Sequence, residues 1–250
     1  MGYSGVEGLA LLIVLFASLV QALLGIGFAL LAAPLLYLLD PGYVPGPVLL
    51  LGFFLAACML LGNRRPLAWR RPLPAMLGRL PGAWCGALIL GLLPSAWLGL
   101  LLGACVLLAT LFSYHRRALP CSARNLAVAG FCSGLMGTAT SVGGPPMALV
   151  YQSRSRHEIR DELAAFFFLA TPLSLLLLLY RGCLPLEYLL STLKLAPAVV
   201  AGYGMAHALQ GRFEQGRPRR LLLLLSLLAA AWLVGVSLWR LVGFNAVSAT

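Results

Sequence analysis

The chain has 250 residues, 61% of them apolar and 10% charged, with a formal net charge of +11. A soluble domain carries roughly 25% charged residues, so the composition excludes a soluble globular fold and predicts an all-α, polytopic transmembrane helix bundle. The basic excess does not indicate nucleic acid, because the arginines lie between apolar blocks rather than along one face. In a membrane protein such arginines orient the helices.

Taken in order, the apolar blocks are residues 6–24, 28–39, 47–61, 73–93 and 96–114, then 125–137, 145–152, 163–180, 188–210 and 221–241. A span needs about 20 helical residues, and the blocks leave room for one integral membrane domain over residues 1–250 and no soluble domain. The first run is read as a span rather than a cleavable signal, since MGYSGVEG lacks a positive n-region and no small-residue cleavage site follows. The blocks at 28–39 and 145–152 follow glycine-rich breaks. Each is too short to cross alone, as 12 helical residues cover only about 18 Å.

The two sets of blocks form a repeat, with half one at about 5–117 and half two at about 124–241. ALLG, ending at Gly25, echoes GLMG, ending at Gly137. After the break an offset of 116 residues holds, which puts Gly27 on Gly143 and PGAWCG (81–86) on PAVVAG (197–202). Internal duplication is a frequent plan among secondary transporters.

Charge then orients the copies. Of 18 Lys and Arg residues, 14 lie in four clusters: Arg64/Arg65/Arg70/Arg71, Arg116/Arg117/Arg124, Arg154/Arg156/Arg160 and Arg212/Arg217/Arg219/Arg220. By the positive-inside rule these are cytoplasmic. The 64–71 loop pairs with 180–187, which has one Arg and one Glu; the 212–220 loop pairs with the uncharged turn at Pro94 and Ser95; the 154–160 stretch pairs with 40–47, which has an acid and no base. The copies are therefore expected to be inverted. Each glycine break is then a hairpin returning to its own side, followed by three full crossings. A kink at each break would make the copies parallel, which the charges disfavour.

The sharpest segment is GLMGTATSVGGPPMALVYQ, residues 134–152. A helix is expected to end at Gly137, followed by a polar linker with Thr138, Thr140 and Ser141, then Gly143 and Gly144. Pro145 and Pro146 open a new helix, as proline is favoured in the first turn, where its missing N–H has no partner to lose. Irregular backbone at membrane depth is tolerated only where it is buried or lines a cavity, and a helix N-terminus there makes an anion site. The candidate donors are the Gly143 and Gly144 amides and the Ser141 and Thr140 hydroxyls. The first copy offers the poorer QALLGIGFALLAAP, residues 21–34. The competing reading is that these glycines allow close helix packing, which explains neither the hydroxyl run nor the Pro-Pro pair.

Residues 130–152, the following RDELAAFFFLATPLSLLLLLYRG (160–182) and PAVVAGYGMAHALQGRF (197–213) resemble the sulfite exporter TauE/SafE family over nearly the whole chain. The first copy departs from the family's run of consecutive glycines, with Phe28 where another glycine is common. The resemblance implies two homologous halves in the cell (inner or plasma) membrane. It also implies a secondary transporter of small anions: sulfite, sulfonates or related organosulfur anions.

Two bases lie inside blocks, Arg79 and Lys194, either to meet an anion, since intramembrane bases are costly and usually functional, or to snorkel to the headgroups. The expected substrate-binding set is thus Gly25, Gly27, Gly137, Thr138, Thr140, Ser141, Gly143, Gly144, Pro145, Arg79 and Lys194. All seven acids lie at block ends or in loops, which favours an anion over a cation as cargo. His207, inside a late block, is read as satisfied or interfacial. The six cysteines show no CxxC or His-linked metal spacing, and no metal, cofactor or nucleic-acid partner is expected. An intramembrane enzyme built on Ser133 and His207 has no supporting motif. A purely structural subunit would not need inverted halves with matched breaks.

Overall fold

The computed structural model describes residues 5–63, 71–114, 119–152, 154–184, 186–209 and 216–248. Arg64, Arg65, Arg70, Arg116, Arg117 and Arg212, used above to weigh loop charge, lie outside the described residues. Among the described residues every regular element is helical. In chain order these are α1 (Gly5–Leu24), α2 (Phe28–Leu39), a 3-10 turn (Pro41–Tyr43), α3 (Gly46–Leu61), α4 (Leu73–Leu92) and α5 (Ser95–Tyr114). There follow α6 (Ala123–Thr140), α7 (Gly144–Tyr151), α8 (Arg156–Tyr180), α9 (Leu186–Leu193), α10 (Ala196–Leu209) and α11 (Gly216–Ser248).

The local causes are legible. Ser122 opens α6 by accepting the Asn125 N–H at 3.2 Å, and Ser155 opens α8 with a capping box shared with Glu158. Prolines 145 and 146 start α7. The segments 5–24, 73–92, 157–180 and 221–241 are long and apolar enough to cross a membrane, whereas α2 and α3 are shorter apolar helices. The outer surface is apolar, with Leu12, Leu77, Leu228, Trp232 and Trp239 exposed, while Ser133, Thr138, Thr140, Ser174 and Arg79 are buried. Lipid contact asks for this distribution, since hydrocarbon tails offer no partner to a polar group.

The block expected at 188–210 is not one helix. It divides into α9 and α10 at a turn holding Lys194 and Leu195. Pro197 sits in the first turn of α10, where it costs no hydrogen bond. Its repeat counterpart Pro81, however, lies within an unbroken α4, so proline alone does not dictate the break.

Helix contacts come in matched sets at the 116-residue offset. α1 packs on α10 and α6 on α4; α2 packs on α11 and α7 on α5; α3 packs on α10 and α8 on α4; α3 meets α8 and α5 meets α11. The α4–α6 pair is a small-residue crossing. Gly78, Gly82 and Gly86 share one face of α4, and a Cβ at Gly78 or Gly82 would collide with the carbonyl of Ala127 or Phe131 on α6. A Cβ at Gly134 would sit 2.6 Å from the Arg79 carbonyl. The two backbones therefore touch, as small residues permit in membranes. On the other side Gly202 of α10 meets the Leu15 carbonyl of α1 in the same way.

Polar contacts mark the two ends of the bundle. At one end Arg71 pairs with Glu162 at 2.9 Å and Glu158 at 3.6 Å, and Arg154 with Glu158 at 3.9 Å. At the other, Tyr188 donates to Asp40 at 3.4 Å, Gly46 meets Leu184, and Gly91 approaches Arg181 and Cys183. Glu162, expected at a block end or in a loop, is buried at 5% exposure in the second turn of α8, because α8 begins seven residues before the apolar block at 163.

Candidate anion site between the two broken helices

The first break is Gly25-Ile26-Gly27, with φ of 83° at Gly25 and 127° at Gly27, values that favour glycine. The Gly25 N–H closes α1 on the Gln21 carbonyl at 2.7 Å, and the Phe28 N–H donates to the Gln21 side-chain oxygen at 3.1 Å. Gln21 thus caps both sides of the break. With its oxygen engaged, its NH2 is the group left to face a ligand.

The second break is shorter than expected. Thr138 and Thr140 are helical, and only Ser141-Val142-Gly143 leaves the helix. Ser141 is left-handed (φ 68°), its N–H bonding the Gly137 carbonyl at 2.8 Å. The Thr140 hydroxyl bonds back to the Met136 carbonyl, and the Ser141 hydroxyl donates to the Pro45 carbonyl, both at 2.8 Å. The Gly143 N–H is taken by the Ser141 carbonyl at 3.1 Å. Of the four donors expected from sequence, three are therefore committed to the protein itself. Since Pro145 and Pro146 have no N–H, the Gly144 amide is the one first-turn donor that α7 leaves without an intrahelical acceptor.

A small cavity of about 50 Å³ joins the two breaks. Gln21, Gly27 and Phe28 line it from the first break, and Gly137, Ser141, Gly143, Gly144 and Pro145 from the second. It lies where two apolar cores meet, one including Phe28 and Val48 and the other Ile26 and Phe166. The two sides differ. Phe28, 1% exposed, fills space at the start of α2. At the start of α7, a Cβ on Gly144 would meet only Phe167, at 3.8 Å. Gly143 is the crowded glycine: a Cβ there would lie 2.8 Å from the Ser133 carbonyl.

Arg79 reaches this cavity from α4. It is 1% exposed. One Nη donates to Ser133 of α6 at 3.0 Å, the other to Ser174 of α8 at 3.2 Å, and Thr138 donates to the same Ser174 oxygen at 2.8 Å. The guanidinium lies 5.2 Å from the Phe166 ring centre and 6.0 Å from that of Phe167, within cation–π range. Its Nε has no hydrogen-bond partner, and among the described residues no carboxylate pairs with it. Arg79 is thus a buried cation balanced by hydroxyls and rings. Its head group is turned inward to Ser133 and Ser174 rather than out to the surface.

Several expected site residues lie elsewhere. Lys194, in the turn between α9 and α10, has its side chain 57% exposed and pairs with Glu7 at 3.1 Å. Gly25, Thr138 and Thr140 do not line the cavity; a Cβ on Gly25 would instead lie 3.2 Å from the Arg160 backbone. His207 is exposed against Tyr203, and Ser133 is held by Arg79. Gln21, Ser133 and Ser174 were not singled out as ligand or support residues. Only Gln21 carried a sequence signal: it is a polar residue inside an apolar block, one turn before a glycine break.

The profile of the sulfite exporter TauE/SafE family matches residues 10–233. The chain belongs to the sulfite exporter TauE/SafE family. TauE/SafE proteins are membrane transporters rather than enzymes, and the chain is accordingly a multi-pass membrane transporter of the sulfite/anion type. Its match spans both breaks, Arg79 and the cavity. No curated protein and no solved structure matches the chain.

Proposed function

We propose that this protein carries small oxoanions, sulfite or organosulfonates, across the cell (inner or plasma) membrane, binding them in the cavity between the two broken helices. Arg79 carries this reading. A cation at the centre of a membrane helix costs about 2.5–3.5 kcal/mol on insertion scales, and among the described residues no carboxylate offsets it. An anionic cargo supplies the missing charge at the moment of binding. Gly144 opens space for it and offers one amide; the Gln21 NH2 approaches from the opposite break; Gly27, Gly137, Ser141, Gly143 and Pro145 shape the walls.

The two halves are taken to be inverted repeats that rock about this site to expose it alternately, as in other duplicated carriers. Two observations support that arrangement. Helix contacts repeat in matched sets between the halves. Basic Arg71 and Arg154 also share one end of the bundle, with Asp40 and Cys183 at the other.

The test is flux in proteoliposomes against sulfite, sulfonates, sulfate and carboxylates. Arg79→Gln should abolish uptake of the transported anion while the protein stays folded and inserted, and Lys194→Gln should leave it unchanged. Full transport by Arg79→Gln would refute the proposal.

A further inference from the structure

We infer that the site accepts one negative charge at a time: its ligands are singly charged oxoanions, and it discriminates against dianions of the same shape. This rests on the anion-site reading above and adds a selection rule to it.

Among the described residues that line the cavity, Arg79 is the only ionisable side chain. The polar remainder is neutral: the Gln21 amide, the Thr171 hydroxyl and the Gly144 N–H. Ser141 has committed its proton to Pro45, so it presents lone pairs, which a second anionic oxygen does not favour. Ile26, Phe28, Leu49, Val142 and Phe167 make the rest of the wall apolar. A second negative charge would therefore be desolvated without a counter-ion, the arrangement that buried sites tolerate least. One charge is fully met.

The guanidinium also dictates the shape of the ligand. Ser133 and Ser174 each take one Nη–H, while the Nε–H is unpartnered. The Nε–H and a neighbouring Nη–H form a planar fork suited to two oxygens of one anion. The apolar wall then accommodates the uncharged part of the ligand. A halide lacks the second oxygen, and a sulfate or phosphonate dianion carries one charge too many.

The experiment uses the purified full chain in lipid nanodiscs and three ligands at one alkaline pH: methanesulfonate, methylphosphonate and its mono-O-methyl ester. The first and third carry one charge and the second carries two. Calorimetric titration should find the sulfonate and the ester binding with similar affinity and methylphosphonate roughly 100-fold weaker, which corresponds to about 2.8 kcal/mol at 1.4 kcal/mol per factor of ten. Methylphosphonate binding as tightly as its ester would overturn the selection rule, and so would a sulfonate that does not bind. Arg79→Gln separates the two levels of the argument. If it abolishes binding of every ligand while wild type shows no charge preference, only the selection rule fails. If it leaves methanesulfonate affinity intact, the anion site itself is wrong.

Discussion

Gly25 and Ser141, 116 residues apart, occupy the same position in the two halves. Both are left-handed, at φ 83° and 68°. Each sends its N–H to the carbonyl four residues back, Gln21 at 2.7 Å and Gly137 at 2.8 Å. The offset seen after the breaks therefore holds through them. The counterpart of Gly25 is Ser141, and that of Gly137 is Gln21.

This equivalence makes a prediction about Ser141. A non-glycine residue in the left-handed region costs about 1–2 kcal/mol, and the hydrogen bond to Pro45 offsets about 1 kcal/mol of it. Ser141→Gly loses both and should be close to neutral. Ser141→Ala keeps the strain, loses the bond and should be destabilised by about 1 kcal/mol. Thermal unfolding in detergent checks the order; equal stability of the two variants would refute the account.

The adjacent glycines should separate packing from function. A methyl at Gly143 would meet the Ser133 carbonyl at 2.8 Å and hydroxyl at 2.9 Å, so Gly143→Ala should lose about 1–3 kcal/mol of stability, as overpacking does. A methyl at Gly144 meets only Phe167 at 3.8 Å. Gly144→Ala should unfold like wild type yet transport more slowly, and Gly144→Val should transport least. The result to look for is loss of flux without loss of melting temperature.

Arg79 needs its two hydroxyl acceptors to stay aimed at the cavity. Ser133→Ala or Ser174→Ala each removes a hydrogen bond to a charged group, worth about 1.5–3 kcal/mol. Anion affinity should fall roughly tenfold or more in each, at 1.4 kcal/mol per factor of ten, with the Arg79 side chain still present. Unchanged affinity in both variants would show that Arg79 is positioned by Phe166 and Phe167 alone.

Membrane orientation is checked by thiol labelling in a background lacking the other cysteines. A cysteine at Leu73, beside Arg71, should react from the cytoplasmic face. Cysteines at Pro94 and the native Cys183 should react from the opposite face. Labelling of Leu73→Cys and Cys183 from one side would exclude the inverted arrangement.

Local features of the chain were enough for most of the helix inventory, though not for the division of 188–210 into α9 and α10 or for the run of α6 to Thr140. Apolar block length predicted the spans, and Gly25-Ile26-Gly27 and Pro145-Pro146 marked the breaks that bound α2 at Phe28–Leu39 and start α7. Hydropathy, left-handed glycine and first-turn proline act within a few residues, so they can be read along the chain.

Register and charge fate could not be read that way. ALLG and GLMG match by eye, yet the structural equivalence lies one helical turn further on, and a four-residue slip keeps the same helix face. Arg79 and Lys194 have similar apolar neighbours in sequence. One is sealed between α4 and α6, whose backbones glycines bring into contact, and tied to Ser174 of α8, and the other falls in a turn open to solvent and Glu7. Gly143 and Gly144 likewise differ only in what lies across from them. A cavity whose lining runs from Gln21 to Thr171 exists only once distant helices pack, and that packing decides which donors are free and which charge is left without a partner.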